Sequence, residues 1–234
     1  MKDFWIHKYE SGVANKKALL IFPHWSAPYW PYKLLAKYFS DFHVIVYQCA
    51  DSLLNANVGA TIKNFALLEK TVLDDATRLK TAGVNSFNMY GVSLGSIIAF
   101  RAANVLAGQN GNLGGVILNL SCASFPLAVW SGCATQSIRK EWDSNGTSYV
   151  EIERAWTHLS PINNLSHLKE VKIFFFGSKK DAVMSHSNVM NLANMLVANF
   201  PKAKISLNSF FGHYLGGAKN FLRLGAMRKF LEGP

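Results

Sequence analysis

The sequence of residues 88–96 is Asn-Met-Tyr-Gly-Val-Ser-Leu-Gly-Ser, and the rest of the chain is best understood outward from this stretch. A run suited to a strand, 84–90, leads into Gly91-x-Ser93-x-Gly95, and an apolar run suited to a helix follows at 97–106. Glycine has no Cβ, so it fits the positions beside a sharply turned central residue. The pattern predicts a strand, a tight turn and a helix.

Ser93, at the centre of the turn, is a candidate nucleophile. Its hydroxyl would stand at the N-terminus of the following helix, where partial positive charge favours a developing anion. The Gly-x-Ser-x-Gly pattern is weak by itself, since a plain strand-to-helix turn also produces it. The strand before it and the helix after it favour a nucleophile elbow.

The chain is long enough for one sizeable α/β domain over residues 1–234, which we favour, or for two small ones, and its composition predicts a large buried core. No apolar run reaches the length of a membrane span, and the first residues do not resemble a secretory signal. The cysteines Cys49, Cys122 and Cys133 show no metal-ligand spacing. We therefore expect a cytoplasmic protein with reduced thiols, and leave open a Cys122–Cys133 bridge if the protein is exported.

The charge balance is strongly basic, with 24 basic against 14 acidic residues and a net charge of +10. Such a charge suits nucleic acid or a membrane surface. The basic residues, however, come as scattered pairs such as Lys16-Lys17 and Arg139-Lys140, without interleaved aromatics. We interpret them as a solvated surface and expect no specific nucleic-acid partner.

Strands and helices alternate along the chain. We predict strands near 4–9, 18–22, 44–47, 84–90, 116–120, 171–176 and 204–207. We predict helices near 32–39, 62–79, 97–106, 186–200 and 218–231. The alternation predicts an α/β fold with a doubly wound, mostly parallel sheet.

An insertion at about 121–165 breaks this alternation. It is rich in aromatic residues and includes a predicted helix at about 148–158. Two interpretations stay open: the aromatics wall a substrate pocket, or they only pack the insertion onto the body. The candidate pocket residues are Phe125, Trp130, Trp142 and Trp156.

A nucleophilic serine needs a base, and the base needs an orienting carboxylate. In doubly wound sheets, catalytic groups gather at the carboxyl ends of the strands. His213 follows the last predicted strand, in a loop where flanking glycines leave room to fold inward, and Asp181 follows the strand at 171–176. His24 also follows a strand, but its loop has another expected role. The competing carboxylates lie in the insertion: Glu141, Asp143, Glu151 and Glu153.

The chain order Ser93, Asp181, His213 on alternating strands and helices resembles the α/β-hydrolase superfamily. The run at 160–165, the apolar strand and Gly177-x-x-x-Asp181 are similar to the family's approach to its acid, and Gly212-His213 to its Gly-His. The resemblance extends from residue 18 to the end. It implies the α/β-hydrolase fold, a catalytic triad, and a small cap where the insertion lies.

One loop departs from the family pattern. The family usually has His-Gly after its early strand, and the next residue donates a backbone N–H to the oxyanion hole. This chain has Pro23-His24-Trp25-Ser26. If Pro23-His24 replaces His-Gly, the donor is Trp25, which we favour; if His24-Trp25 does, it is Ser26. By resemblance, the N–H of Leu94 is the second donor.

The sequence therefore predicts a serine hydrolase that resembles carboxylesterases and cleaves small to medium uncharged esters through an acyl-enzyme. A thioesterase, lactonase, peptidase or acyltransferase would use the same residues, and fold does not choose among them. A non-catalytic ligand-binding protein on this scaffold is the alternative outside enzymes. No metal or organic cofactor is implied, and the sequence leaves the oligomeric state open.

Overall fold

A computed structural model describes residues 3–12, 15–109 and 111–233. Its sheet has seven strands in the order β1-β3-β2-β4-β5-β6-β7. The strands are β1 (Ile6–Ser11), β2 (Lys17–Phe22), β3 (His43–Cys49), β4 (Ser86–Val92), β5 (Leu113–Asn119), β6 (Lys172–Ser178) and β7 (Lys204–Asn208). All neighbours pair in parallel except β1, which runs antiparallel to β3. The predicted fold class, a doubly wound and mostly parallel α/β sheet, is confirmed.

Helices cover both faces of this sheet. They are α1 (Trp30–Tyr38), α2 (Val58–Thr81), α3 (Leu94–Gly108), α4 (Phe125–Ser131), α5 (Gln136–Ser144), α6 (Tyr149–Trp156), α7 (His186–Asn199), α8 (His213–Phe221) and α9 (Leu224–Glu232). Alternate strand residues point to opposite faces. On β2, Leu20 packs with α2 and α3, whereas Leu19 and Ile21 pack with α1 and α9. A central strand buried on both faces explains its unbroken apolar run.

The long helix α2 follows its local sequence closely. The Asn57 side chain accepts a hydrogen bond of 2.9 Å from the backbone N–H of Ala60, which caps the first turn. Gly83, just after the helix, has a φ of 94°, a conformation that favours glycine. The buried stripe of α2, including Phe65, Leu68 and Val72, packs on the sheet. None of the described helices is both long and apolar enough to cross a bilayer.

The C-terminal region differs from the prediction of one helix at 218–231. It forms α8, which begins at His213, and a separate α9. Glycine has a low helix propensity, so the sequence around Gly216 and Gly217 did not predict a helix that begins at His213. Both are buried, and a Cβ on Gly217 would lie 2.9 Å from the Leu120 side chain. Close packing on the sheet therefore overrides local propensity.

The insertion at 121–165 lies between β5 and β6 and contributes α4, α5 and α6. Its indoles hold it to the body: Nε1 of Trp142 donates to the Ala56 carbonyl at 2.8 Å, and Nε1 of Trp156 to the Val58 carbonyl at 3.2 Å. Phe125 and Trp156 stack with ring centroids 5.2 Å apart. The two indole hydrogen bonds join the insertion to the start of α2, and the stacked pair packs within the insertion.

Candidate active site

The turn between β4 and α3 has the geometry that its glycines predict. Ser93 has a φ of 54° and a ψ of −121°, a conformation that a residue with a side chain rarely adopts. A Cβ on Gly91 would lie 2.3 Å from the Gly95 carbonyl oxygen, and one on Gly95 would lie 2.0 Å from that of Phe22. Both positions therefore require glycine. Strain of this kind is stored where the surrounding structure enforces it, commonly at active sites.

Three side chains that are far apart in the sequence form one hydrogen-bonded chain. The Nε2 atom of His213 lies 2.9 Å from Oγ of Ser93, and its Nδ1 lies 2.8 Å from Oδ2 of Asp181. All three residues are buried. A carboxylate can only accept, so Nδ1 carries the proton and Nε2 accepts from the serine hydroxyl. This is the arrangement in which an imidazole removes a proton from a serine.

Asp181 is held by its own loop after β6. Its Oδ1 atom accepts the backbone N–H groups of Val183 and Met184 at 2.9 and 2.8 Å, which leaves Oδ2 for the histidine. The competing carboxylates of the insertion are all exposed or pair locally, such as Asp143 with Arg139 at 3.0 Å. None of these hydrogen-bonds to His213.

His213 follows β7, as predicted, but it is the first residue of α8 and not a loop residue. The preceding loop is anchored to the sheet. The Asn208 side chain accepts from the Phe211 backbone N–H at 3.0 Å, and the Ser178 hydroxyl donates to the Phe211 carbonyl. These bonds set where α8 begins and so orient the imidazole.

The three candidate backbone donors lie around the turn. Within the described ranges, no acceptor is bonded to the N–H of Trp25, Ser26 or Leu94. Trp25 and Leu94 line the same cavity as Ser93, whereas Ser26 does not line it and is exposed. Ser26 has a φ of 57°, and its hydroxyl donates to Asp51 at 2.9 Å. This geometry favours Trp25 over Ser26.

His24, set aside on sequence grounds, also lines this cavity. Its Nδ1 lies 2.7 Å from the buried Tyr32 hydroxyl, which also accepts the His24 backbone N–H at 3.2 Å. In the described structure, Nδ1 is the one acceptor bonded to that hydroxyl, so Nδ1 accepts and Nε2 carries the proton. Burial, and then the neighbouring His213, lower the pKa of His24. His24 is therefore neutral near pH 7, keeps Nε2–H as a donor and lines the same cavity as Ser93.

The cavity beside Ser93 has a volume of about 300 Å³ and is mostly apolar. Its walls come from six regions of the chain, among them the turn at Ser93, the insertion, the loop after β6 and α8. Representative lining residues are Leu54, Ile97, Phe125, Val129, Met184 and Phe221. No Lys, Arg, Asp or Glu side chain is among its described lining residues.

Of the four aromatics predicted for the pocket, Phe125 lines the cavity, and Trp130, Trp142 and Trp156 do not. Trp142 and Trp156 are buried with their N–H groups on carbonyls of the body. Trp130 stacks on Trp142 at 5.8 Å, with the Arg139 guanidinium 3.8 Å from its ring centroid. For these three the pocket interpretation is corrected, and the packing interpretation describes them.

Cys49, Cys122 and Cys133 are free, so the bridge between Cys122 and Cys133 does not form. Burial raises the pKa of the Cys49 thiol to about 12 and also raises that of Cys122. Buried thiols of this kind are poor nucleophiles. In the part of the chain that is described, no group of three or more His, Cys, Asp or Glu could hold a metal ion.

No protein-family model matches the sequence, and no curated protein matches it significantly. Solved structures do match nearly the whole chain. An α/β hydrolase from a Medee basin deep-sea metagenome is 13% identical with a TM-score of 0.61, covering 99% of this chain and 95% of that one. An esterase of Pyrococcus furiosus is 11% identical with a TM-score of 0.63, covering 98% and 92%. The type II thioesterase BorB from the borrelidin biosynthetic cluster is 13% identical with a TM-score of 0.60, covering 97% and 96%.

At these identities the likeness concerns the fold. The chain has the α/β-hydrolase fold, as the resemblance of its motifs implied.

Proposed function

We propose that the protein is a serine hydrolase that cleaves small to medium carboxylic esters through an acyl-enzyme. The observation that supports this most is the hydrogen-bonded chain Ser93–His213–Asp181, which ends at an apolar cavity. Enzymes that share this fold, among them an esterase, also support the proposal.

In the proposed reaction, Oγ of Ser93 attacks the ester carbonyl while Nε2 of His213 takes the hydroxyl proton. The imidazolium then gives this proton to the leaving alkoxide. Asp181 holds the imidazole with Nδ1–H toward the carboxylate and stabilises its charged form. Water, activated by the same histidine, releases the acid from the serine.

The proposed oxyanion hole consists of the backbone N–H groups of Trp25 and Leu94. Both lack a protein acceptor in the described structure, and both residues line the cavity beside Ser93. Donors held ready for the developing negative charge commonly provide the largest single catalytic effect. His24 adds a third, neutral donor through Nε2–H.

The cavity supports an uncharged acyl group of modest length as the substrate. Its lining residues carry no formal charge that would pair with a charged acyl chain. We propose that the insertion at 121–165 acts as a cap, because Phe125 and Val129 of α4 close one side of the cavity.

A thioester, lactone or amide would be attacked by the same groups, and an alcohol could replace water as the acceptor. The similarity to a thioesterase makes thioesters the first alternative. A ligand-binding protein without turnover would need the cavity, but it would not need a histidine hydrogen-bonded to the Ser93 hydroxyl.

The test is a rate profile over p-nitrophenyl esters of rising acyl length, together with labelling by a fluorophosphonate. Ser93→Ala should fold normally, lose labelling and lower kcat by about 10⁶-fold. Ser121→Ala is the matched control, because Ser121 is a buried serine after the neighbouring strand, and its hydroxyl has no protein partner among the described residues. Turnover or labelling that persists in Ser93→Ala would refute the proposal.

A further inference from the structure

Helix α8 has one buried and one exposed face. His213, Gly216, Gly217 and Asn220 point toward the sheet. The outward positions 214, 215, 218 and 222 carry Tyr, Leu, Ala and Leu. Tyr214, Leu215 and Leu222 are 70%, 66% and 86% exposed, so this apolar face contributes little to folding.

This exposed face borders the opening of the cavity. Tyr214 and Ala218 are exposed and also line the cavity, so α8 forms one edge of its mouth. Pro31 lines the cavity too, and its neighbour Trp30 is 66% exposed. We call Trp30, Tyr214, Leu215, Ala218 and Leu222 the mouth face. Large apolar side chains exposed together mark an interaction site more often than a solvated surface.

Two cations, Lys33 and Lys37, share α1 with Trp30, and two more, Lys219 and Arg223, lie within α8 or just after it. Within the described residues, Lys33, Lys37, Lys219 and Arg223 form no ion pair. Lys219 and Arg223 lie over the rings of Phe211 and Phe176 instead, at 4.8 and 5.1 Å. The sequence from 182 to 231 contains no Asp or Glu at all.

On α2, by contrast, acidic residues share the helix with the basic ones and pair with some of them. There Lys70 pairs with Asp74 at 2.7 Å, and Arg78 pairs with Glu10 at 2.9 Å. Cations without an ion pair in the described structure also occur elsewhere, such as Lys63 and Lys80 on α2. What distinguishes the mouth face is that its cations lie beside exposed apolar side chains, in parts of the sequence without Asp or Glu.

We propose that the mouth face docks on an anionic lipid bilayer. A bilayer of this kind takes up apolar side chains at its boundary and attracts nearby Lys and Arg. A second copy of the chain fits less well, because it would bring two sets of unpaired cations together. Docking does not depend on the proposed hydrolase activity. If that activity holds, docking turns the cavity mouth toward lipid-soluble esters.

The test is flotation of the whole chain with vesicles of phosphatidylcholine alone or of phosphatidylcholine with phosphatidylglycerol. We expect binding to the anionic vesicles and little to the neutral ones. Each cation near the surface contributes about fivefold to partitioning, so Lys219→Gln with Arg223→Gln should weaken binding roughly 25-fold. Leu215→Ser with Leu222→Ser should weaken it by about tenfold or more, through lost apolar contact.

Matched controls make the same changes in charge and hydrophobicity outside the mouth face. Lys63→Gln with Lys70→Gln on α2 lowers the net charge equally, and Leu67→Ser with Val197→Ser removes exposed apolar groups that do not line the cavity. Both pairs should bind like the unmodified chain, and thermal melting should show every variant folded.

Three results would overturn the proposal. Equal binding to neutral and anionic vesicles would show that the cations do not contribute to docking. Mouth-face variants that bind like the controls would show that another surface contacts the vesicle. Sedimentation as a dimer that Leu215→Ser with Leu222→Ser converts to a monomer would assign the face to a second copy. Ser93→Ala should bind vesicles normally, so a failure of the hydrolase proposal is separable from a failure of this one.

Discussion

Two buried aspartates, Asp181 and Asp75, have opposite surroundings. Asp181 lies after β6 and accepts from one imidazole and two backbone N–H groups. Asp75 lies on α2 and accepts from Lys8 at 3.0 Å, Tyr47 at 3.0 Å and Arg78 at 3.3 Å. Asp181 has a cavity nearby, whereas Asp75 joins α2 to the β1–β3 edge of the sheet.

The difference shows that burial of a carboxylate does not by itself mark a catalytic group. Around Asp75, two cations balance the charge, and burial together with Asp75 raises the pKa of the Tyr47 hydroxyl, which stays a donor. Around Asp181, the partner is a histidine whose second nitrogen faces a serine. A buried carboxylate that contacts a histidine at the strand ends is a candidate catalytic group. A buried carboxylate that is surrounded by cations is a candidate for stabilising the fold.

The largest expected effect is on kcat, and it distinguishes a catalytic role of Asp181 from a structural role of Asp75. Asp181→Asn should keep the fold and lower kcat on a p-nitrophenyl ester by roughly 10³–10⁴, because the amide favours the wrong histidine tautomer. Steady-state kinetics and circular dichroism provide the measurement.

Asp75→Asn is the counterpart. It should leave kcat at 25 °C unchanged and lower the free energy of unfolding by about 1–3 kcal/mol, since charged hydrogen bonds are lost. Urea denaturation measures this change. A large loss of kcat in folded Asp75→Asn, or full activity in Asp181→Asn, would break the comparison.

The next effect concerns the backbone donors on the active-site side. Trp25→Pro removes one N–H and should lower kcat by about 10²–10³, while Trp25→Ala keeps the N–H and should mainly alter acyl-chain preference. A melting curve must show that Trp25→Pro is folded, since proline constrains its neighbours.

Ser26→Gly is the matching control, because glycine tolerates the φ of 57° that proline cannot adopt. It keeps its N–H and should remain active. If folded Trp25→Pro keeps full activity, Trp25 is not the donor and Ser26 becomes the candidate.

A smaller effect tests whether His24 donates a hydrogen bond in the proposed reaction or only packs against its neighbours. His24→Leu removes the Nε2–H donor and should lower kcat by about tenfold, less than a fully buried oxyanion donor. His24→Gln offers an N–H at a similar distance and should recover most of the rate. If both variants are equally slow while equally stable, His24 does not act as a donor.

The smallest effect is a pH dependence of stability. The native pKa of His24 lies below the ordinary value, chiefly through burial, so the unfolded chain binds a proton that the native chain excludes. Stability should therefore fall as the pH drops below about 6.5, where the unfolded imidazole titrates. Thermal melts at pH 7.5 and 5.5 measure the loss, and His24→Gln should reduce it. An unchanged slope would assign the loss to other groups, such as His158, whose pKa burial also lowers.

Much of the fold follows from local sequence. Strand positions agree to within a few residues, because an apolar run between turn residues encodes a strand covered on both faces. The division of the last helix into α8 and α9 was missed, since Gly216 and Gly217 are placed in a helix by packing on the sheet. For the three insertion tryptophans the sequence left the pocket and packing interpretations open, because composition does not show which way an indole points.

Some residues of the candidate site could likewise be predicted from the sequence, and others could not. Ser93, Asp181 and His213 could be selected because each follows a strand, and parallel strands bring their carboxyl ends to one edge. His24 met the same criterion and was set aside, and the contact with the Tyr32 hydroxyl that fixes its tautomer appears only in the structure. Met184 and Phe221 carry no motif, so nothing in the sequence places them on the cavity wall.

The sequence by itself determined the seven strands, the helices between them outside the insertion and the C-terminal region, and the turn at Ser93. These depend on local causes: apolar periodicity, and the absence of Cβ at Gly91 and Gly95. Ser93, Asp181 and His213 could be selected because each follows a strand of a parallel sheet. The tertiary structure alone decided the 2.9 Å contact between His213 and Ser93, the tautomer of His24, the role of each tryptophan and the exposure of the mouth face. Those features join residues far apart in the chain, and their distances depend on how the whole sheet and its helices pack.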